Sequence, residues 1–348
     1  MKSLIKQLLE TGVKEGHFPG CQFAIVTPNQ IIFDYVGKKQ LVPTVEETLG
    51  NEIYDVASLS KVVSTTTLIL KLVENNKLSF NTEISKLLPR FKHRGITVMN
   101  LLGHNSGLPA DISGARFLKN KDEVLNRIYD MDLFYETGRD YVYSDCGYIL
   151  LGEIVKLLYG KEINEAALEV IFEPLNMKDT SYRPNLSRVV PTEVREDDVF
   201  NGLLKGRVHD EKSFAMDGLS GHAGLFSTAY DLGLFIQAIL NETFVLNREI
   251  TEYMFTPIIS KEINGLNVTR TYGWLKPDKG SFAGNLHDLK ETIGHTGFTG
   301  CHLFIDRKNK IGFVLLSNAV HPKRSMNGII PYRNKIGDII YEHKGGLV

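Results

Sequence analysis

The chain has 348 residues, a length that fits one large domain or two modest ones. With 43% hydrophobic and 23% charged residues, it has the composition of a folded globular protein and not of a disordered one. Forty basic side chains against 41 acidic ones leave a formal charge of −1, which offers no concentrated positive field for a nucleic acid or a membrane surface.

The chain opens with apolar residues at positions 4, 5, 8, 9 and 13, the spacing of an amphipathic helix. Lys6, Gln7 and Glu10 interrupt that run, so it lacks the ~7–15-residue apolar core of a signal peptide. Apolar runs elsewhere, such as residues 311–316, are far short of the ~20 residues that cross a bilayer. A soluble, cytoplasmic protein without membrane insertion is expected. Residues 21–27 and 31–35 are β-prone and separated by the turn cluster Pro28-Asn29-Gln30. Helical candidates fill the middle: residues 150–158, ending at Gly160; residues 166–172, stopped by Pro174; and residues 228–240, whose Thr228-x-x-Asp231 start reads as a capping box. Residues 301–305 and 311–316 flank a second hairpin turn, and a helix over about 334–342 closes the chain. Strands at both ends with helices between predict an α/β (α+β) fold with one sheet assembled from distant parts of a single domain. The sheet part is expected over about 1–57 plus 270–348, and the inserted, mostly helical part over about 58–269. A cleft belongs at the seam.

Three scattered cysteines (Cys21, Cys146, Cys301) form no Cys-x-x-Cys pair, and ten histidines form no His-x-x-x-His pair. No metal and no other cofactor is expected.

Three segments carry candidate chemistry. In Asp55-Val-Ala-Ser58-Leu-Ser60-Lys61 a long apolar segment begins; its β-branched residues favour a strand, but its period and length favour a helix. Ser58 and Lys61 then share a face, and a buried lysine whose pKa is lowered by desolvation or a nearby cation can activate a serine. A helix-start serine is the plainer reading, and Ser3-Leu-Ile-Lys6 matches the same spacing on the first helix. In Tyr141-Val-Tyr143-Ser144-Asp145, Ser144 or Asp145 can serve simply as an N-cap. In Gly294-His295-Thr296-Gly297-Phe298-Thr-Gly300, the glycines let a backbone approach a ligand closely, or mark a bulge.

In this order, Ser-x-x-Lys, Tyr-x-Asp and His-Thr-Gly, the set resembles the penicillin-recognising serine hydrolases. The resemblance is to their branch with class C β-lactamases, D-Ala-D-Ala carboxypeptidase-like proteins, D-aminopeptidases and family VIII esterases. Thr97-Val-Met-Asn-Leu-Leu-Gly-His104-Asn-Ser-Gly107-Leu-Pro109 and Gly221-His-Ala-Gly-Leu-Phe-Ser-Thr228 are similar to further stretches of that branch, so the likeness covers nearly the whole chain. It implies a serine hydrolase with a β-lactamase/transpeptidase-like fold, acting on a small molecule or peptide through an acyl-Ser58 intermediate. Lys61 would be the proton partner of Ser58, and Tyr143 would relay a proton to the leaving group. The backbone N–H groups of Ser58 and Phe298 would form the oxyanion hole, while Asp145, His295, Thr296 and Gly297 would line the substrate site.

Two departures from the β-lactamase pattern bear on substrate. Asp145 stands where those enzymes have an asparagine, exchanging an amide donor for an anion. His295 stands where they have lysine; protonated, it would bind a substrate carboxylate. Gly206-Arg-Val-His209-Asp210-Glu211, Gly221–Gly224 and Val320-His321-Pro322 resemble a narrower subset that includes an N-acetylmuramoyl-alanine amidase. In it His209 and Asp210 would contact substrate, or form a loop ion pair of little energy. Residues 111–121 and 260–267 are expected to shape the pocket as loops. A non-catalytic sensor on the same fold is the alternative from another class.

Overall fold

In the computed structural model, which describes residues 1–263 and 265–346, the two ends of the chain meet in one antiparallel sheet. The N-terminal part supplies β1 (Gly20–Val26), β2 (Ile31–Gln40) and β3 (Glu46–Glu47). Two short pairs lie outside the sheet: β4 (Tyr54–Asp55) with β7 (Phe226–Ser227), and β5 (Val194–Glu196) with β6 (Asn201–Leu203). The C-terminal part adds β8 (Pro257–Ile263), β9 (Leu266–Thr271), β10 (Leu275–Lys276), β11 (Thr292–Thr296), β12 (His302–Asp306) and β13 (Ile311–Ser317). The order across the sheet is β3-β2-β1-β13-β12-β11-β10-β9-β8. The join is β1 on β13, running from Cys21 opposite Ser317 to Val26 opposite Gly312.

Side-chain alternation along these strands fills two cores. Cys21, Phe23 and Ile25 of β1, with Phe313 and Leu315 of β13, face the terminal helices Lys2–Lys14 and Ile330–Glu342. Ala24, Val26, Val314 and Leu316 face the helix Ala229–Leu240 and the helical region behind it. Strands buried on both faces, such as β1 and β13, read as unbroken apolar runs, which is why they are visible in the sequence.

The sheet extends further than expected, because β8 and β9, placed by the sequence in the helical part, are its edge hairpin. Ser260, Lys261 and Glu262 are polar, so no apolar alternation marks that strand. The expected loop 260–267 is this hairpin; its residue 264 lies outside the described residues. The helix Asp145–Tyr159 starts five residues ahead of its expected beginning, at the Ser144 cap, and ends at a left-handed Gly160. Residues 166–172 form the end of helix Ile163–Ala167 and a π-helical turn, Leu168–Phe172. The capping box at Thr228 is half formed. Thr228 accepts from the Asp231 N–H, but the Asp231 carboxylate is occupied by the Asp179 N–H (2.7 Å) and the Thr180 hydroxyl (2.9 Å). The closing helix begins at Ile330, with Pro331 in its first turn. Among the described residues, no helix is long and apolar enough to cross a membrane.

Candidate active site

Ser58 sits in the turn between β4 and a helical segment that starts as π-helix over Lys61–Thr66 and continues as α-helix over Thr67–Glu74. The competing strand and helix signals of the Val62–Thr67 run resolve into this wide first turn. Just ahead of Ser58, Ala57 has φ +49°, a left-handed conformation that costs a residue with a side chain and needs outside support. Asp55 supplies it: its carboxylate accepts from the N–H of Ala57 at 2.8 Å and from the N–H of His209 at 2.7 Å. Ser60 points the other way, donating to Ala57 O at 2.6 Å and accepting from Leu225 N–H at 3.1 Å.

Lys61 is fully buried beneath Ser58. Its ammonium lies 3.0 Å from Ser58 Oγ, 3.0 Å from His222 O and 2.7 Å from Asp145 Oδ1. Burial pulls the lysine pKa down, but the charge of Asp145, with Tyr143 after it, outweighs this and holds it above its ordinary value. The condition for a free-amine lysine, a lowered pKa, is therefore not met: Lys61 is an ammonium at neutral pH. Asp145 is in turn pushed up by burial and brought below the usual carboxylate range by Lys61, His222 and Lys212. The charges continue in alternation: Lys212 lies 3.3 Å from Asp145, 2.9 Å from Asp111 and 3.0 Å from Asp210, and Asp210 bonds His222 Nε2 at 2.7 Å.

Tyr143 lies at the start of the Asp145–Tyr159 helix, its ring centroid 5.1 Å from Lys61 Nζ. His104 backs it at 4.6 Å between ring centroids and accepts from the Ser144 N–H at 3.0 Å. This assigns a place to the Leu-Leu-Gly-His stretch. Ser144 is the N-cap, accepting from Gly147 N–H, which leaves Asp145 free to face the lysines.

His295 and Thr296 end β11, and the chain then turns through Gly297 and Phe298 against the Ser58 turn. A Cβ on Gly297 would lie 2.6 Å from Val56 O, so only glycine allows this approach. Among the described residues, neither the Ser58 N–H nor the Phe298 N–H donates a hydrogen bond within the chain. His295 Nδ1 is 2.8 Å from Thr296 O, a pure acceptor, so Nδ1 carries the hydrogen and Nε2 is a bare acceptor. Burial, then the charges of Arg270 and Lys61, holds its pKa well below the ordinary histidine value. His295 is neutral, so the protonated form that would bind a substrate carboxylate is not the one present at neutral pH.

Ser58, Tyr143, Asp145, His295, Thr296, Gly297 and Phe298 line one cleft of about 540 Å³, with Lys61 under its floor. His209 and Asp210 reach the same cleft but do not pair with each other. His209 bonds Glu193 at 3.0 Å and stacks on the exposed ring of Phe298, centroids 5.6 Å apart; Asp210 binds His222 and Lys212. Of the two expected pocket loops, 111–121 contributes Asp111. Asp145, Asp210 and His222 offer ligand atoms within 4.8 Å of one another, a spacing a metal ion would accept. Any cation there would compete with Lys61 and Lys212, which already contact the same carboxylates. Sequence reasoning missed Arg270, Lys212, Glu193 and Arg333. Lys212, two residues from Asp210, stood near a quoted motif.

A family model described as Beta-lactamase matches residues 5–337. The chain is 29% identical to the Bacillus subtilis (strain 168) protein named N-acetylmuramyl-L-alanine amidase, over 91% of this chain and 80% of that relative. It superposes on the octameric penicillin-binding protein homologue from Pyrococcus abyssi with a TM-score of 0.77 and 21% identity, covering 98% of this chain and 77% of the other. EstCE1, a hydrolase with promiscuous acyltransferase activity, gives a TM-score of 0.80 at 18% identity over 98% of both chains. At such identities these two structures speak to the fold alone.

Proposed function

The chain belongs to the β-lactamase family and is a serine hydrolase; on that premise we propose that Ser58 is acylated by an ester or amide drawn from a cell-wall-derived peptide or muropeptide. The observation that carries the reading is the contact of Ser58 Oγ with Lys61 Nζ at 3.0 Å, on the floor of a cleft where the N–H groups of Ser58 and Phe298 have no acceptor among the described residues. Ser58 Oγ attacks the carbonyl carbon, and the two N–H groups take the developing oxyanion. In the molecules whose Lys61 has lost a proton to solvent, the serine proton passes to the Lys61–Tyr143 pair. Tyr143 then protonates the leaving amine or alkoxide as the C–N or C–O bond breaks. Water repeats the steps in reverse and frees Ser58.

The muropeptide reading rests on the amidase relative and on the His209-Asp210 and Gly221–Gly224 stretches, which gather at or beside the cleft. Small esters are the second reading. Asp145, held between two lysines, has no amide hydrogen to offer a lactam side chain, and an unpaired buried amide costs ~1–3 kcal/mol. The test is mass spectrometry after a fluorophosphonate, with a hydrolysis panel of muramyl peptides, D-Ala-D-Ala peptides, p-nitrophenyl esters and nitrocefin. An adduct on Ser58 that is absent from Ser58→Ala supports the nucleophile. Nitrocefin turned over tenfold faster than both the small esters and the muramyl peptides would overturn the substrate reading.

A further inference from the structure

Phe298 carries one of the two N–H groups assigned to the oxyanion, yet it is 57% exposed and follows a glycine, so packing gives its turn little hold. Three contacts steady it. Asn327 Nδ2 donates to Phe298 O at 3.1 Å, the Thr299 hydroxyl donates to Asp55 O at 2.8 Å, and the Phe298 ring stacks on His209 with 24° between the planes. His209 is itself fixed. It is 4% exposed, and its Nε2 donates to Glu193, a carboxylate, which only accepts. Glu193 is held in turn by the main-chain N–H, Nε and Nη2 of Arg324 at 2.7–3.0 Å. With Nε2 committed there, what the His209 ring offers the cleft is its flat face.

The main chain of the same residue serves the other donor. The N–H groups of His209 and Ala57 bind the two carboxylate oxygens of Asp55, at 2.7 and 2.8 Å, and so brace the left-handed Ala57 that leads into Ser58. A donor stabilises an oxyanion only from ~2.7–3.1 Å, and a working constellation has to be held to within about 0.5 Å. Ser58 and Phe298 lie on turns far apart in the chain, and His209 touches the supports of both.

We propose that His209 is a positioning residue for the oxyanion hole. Its N–H, through Asp55, sets the turn that carries the Ser58 donor; its ring, locked by Glu193, sets the turn that carries the Phe298 donor. The inference rests on the acyl-Ser58 reading and adds to it the residue that keeps the two donors in register.

The experiment measures kcat and KM for p-nitrophenyl acetate, per site titrated with a fluorophosphonate, in wild type, His209→Ala, His209→Phe, Phe298→Ala and the double alanine variant. His209→Ala keeps the N–H toward Asp55 and removes the ring. Its kcat is expected to fall about tenfold, part of the ~10²–10³ that an outright lost donor costs, with KM within about threefold of wild type. Phe298→Ala keeps its own N–H and is expected to show the same fall. Because both changes remove one contact, the double variant should lie within about twofold of the lower single variant. His209→Phe restores a flat ring while Arg324 still satisfies Glu193, and is expected to recover part of the loss. Four results would each overturn the proposal: an unchanged kcat per site in His209→Ala, a loss carried by KM, losses that multiply in the double variant, or His209→Phe no better than alanine. If His209→Ala gives no titratable protein, Phe298→Ala decides, since an exposed ring can be truncated without unfolding the chain; an unchanged kcat there overturns the proposal too. Wild-type protein that neither hydrolyses the ester nor takes the label sinks the acyl-Ser58 reading itself, and this inference falls with it.

Discussion

Asp145 and Lys61 form the ion pair on which the working pH of the site depends. The carboxylate holds the lysine protonated, so the amine needed to accept the Ser58 proton is scarce at neutral pH and grows as pH rises. Replacing Asp145 by asparagine removes the largest influence that raises the lysine pKa and leaves burial, which lowers it. A charge partner of this kind moves a pKa by ~1–3 units. The acidic limb of kcat/KM for a neutral ester is therefore expected to shift to lower pH by at least one unit in Asp145→Asn. Superimposable pH profiles would show that Lys61 is not the group that limits acylation. The neighbouring serines separate by the same reasoning. Ser58→Ala is expected to abolish turnover and labelling. Ser60→Ala should keep both while losing ~1–3 kcal/mol of stability in urea unfolding, because the Leu225 N–H is left buried without an acceptor. Labelling retained by Ser58→Ala would place the nucleophile elsewhere.

The Gly221-His-Ala-Gly stretch matters to the architecture through a close approach of two backbones. A Cβ on Gly152, inside the Asp145–Tyr159 helix, would lie 2.6 Å from Gly221 N; one on Gly221 would lie 2.1 Å from Tyr148 O. Gly152→Ala is therefore a contest between two effects. Alanine gains about 1 kcal/mol over glycine in a helix interior, whereas forcing backbone apart costs ~1–3 kcal/mol. A net loss of stability is expected by urea unfolding, together with slower Ser58 labelling, since the Lys61 ammonium is anchored on His222 O. A variant more stable than wild type would show that the contact yields. This contact also marks the limit of what could be read from the chain. The Ser58–Lys61 spacing, the Ser144 cap and the glycine turn after His295 are local, so residue type and spacing were enough to find them. Arg270, and the alternation from Lys61 through Asp145 and Lys212 to Asp210, depend on β9 and three other segments meeting in space. The charge states of Lys61 and His295 were left open for that reason, since that of Lys61 is set by Asp145 and Tyr143, more than 80 residues away, and that of His295 by its burial and then by Arg270 and Lys61 on other segments.

At the scale of the whole molecule, the sheet made from both chain ends was legible because its central strands are continuous apolar runs between clear turns. The edge hairpin of β8 and β9 was not, because a polar strand paired on one side looks like loop. What the arrangement implies for cooperativity can be tested. One apolar cluster takes in Val26, Ile293, Leu303, Ile305 and Val314 of the sheet together with Leu68, Ile69, Leu150 and Ile154 of the helical part, so no plane of sparse contact separates the two. Trp274, the chain's single tryptophan, is fully buried in that cluster just after β9 and stacks on Phe235 of the Ala229–Leu240 helix, centroids 6.4 Å apart. Its fluorescence therefore reports the junction, while far-UV circular dichroism reports chiefly the helices. Chains of this length often unfold in stages, and coincidence of different probes is the measure of a single step. The two urea curves are expected to share one midpoint and one slope. Loss of the Trp274 signal at lower urea than loss of helix would mean that the sheet and helical parts are stable separately, and that the cleft between them opens before either unfolds.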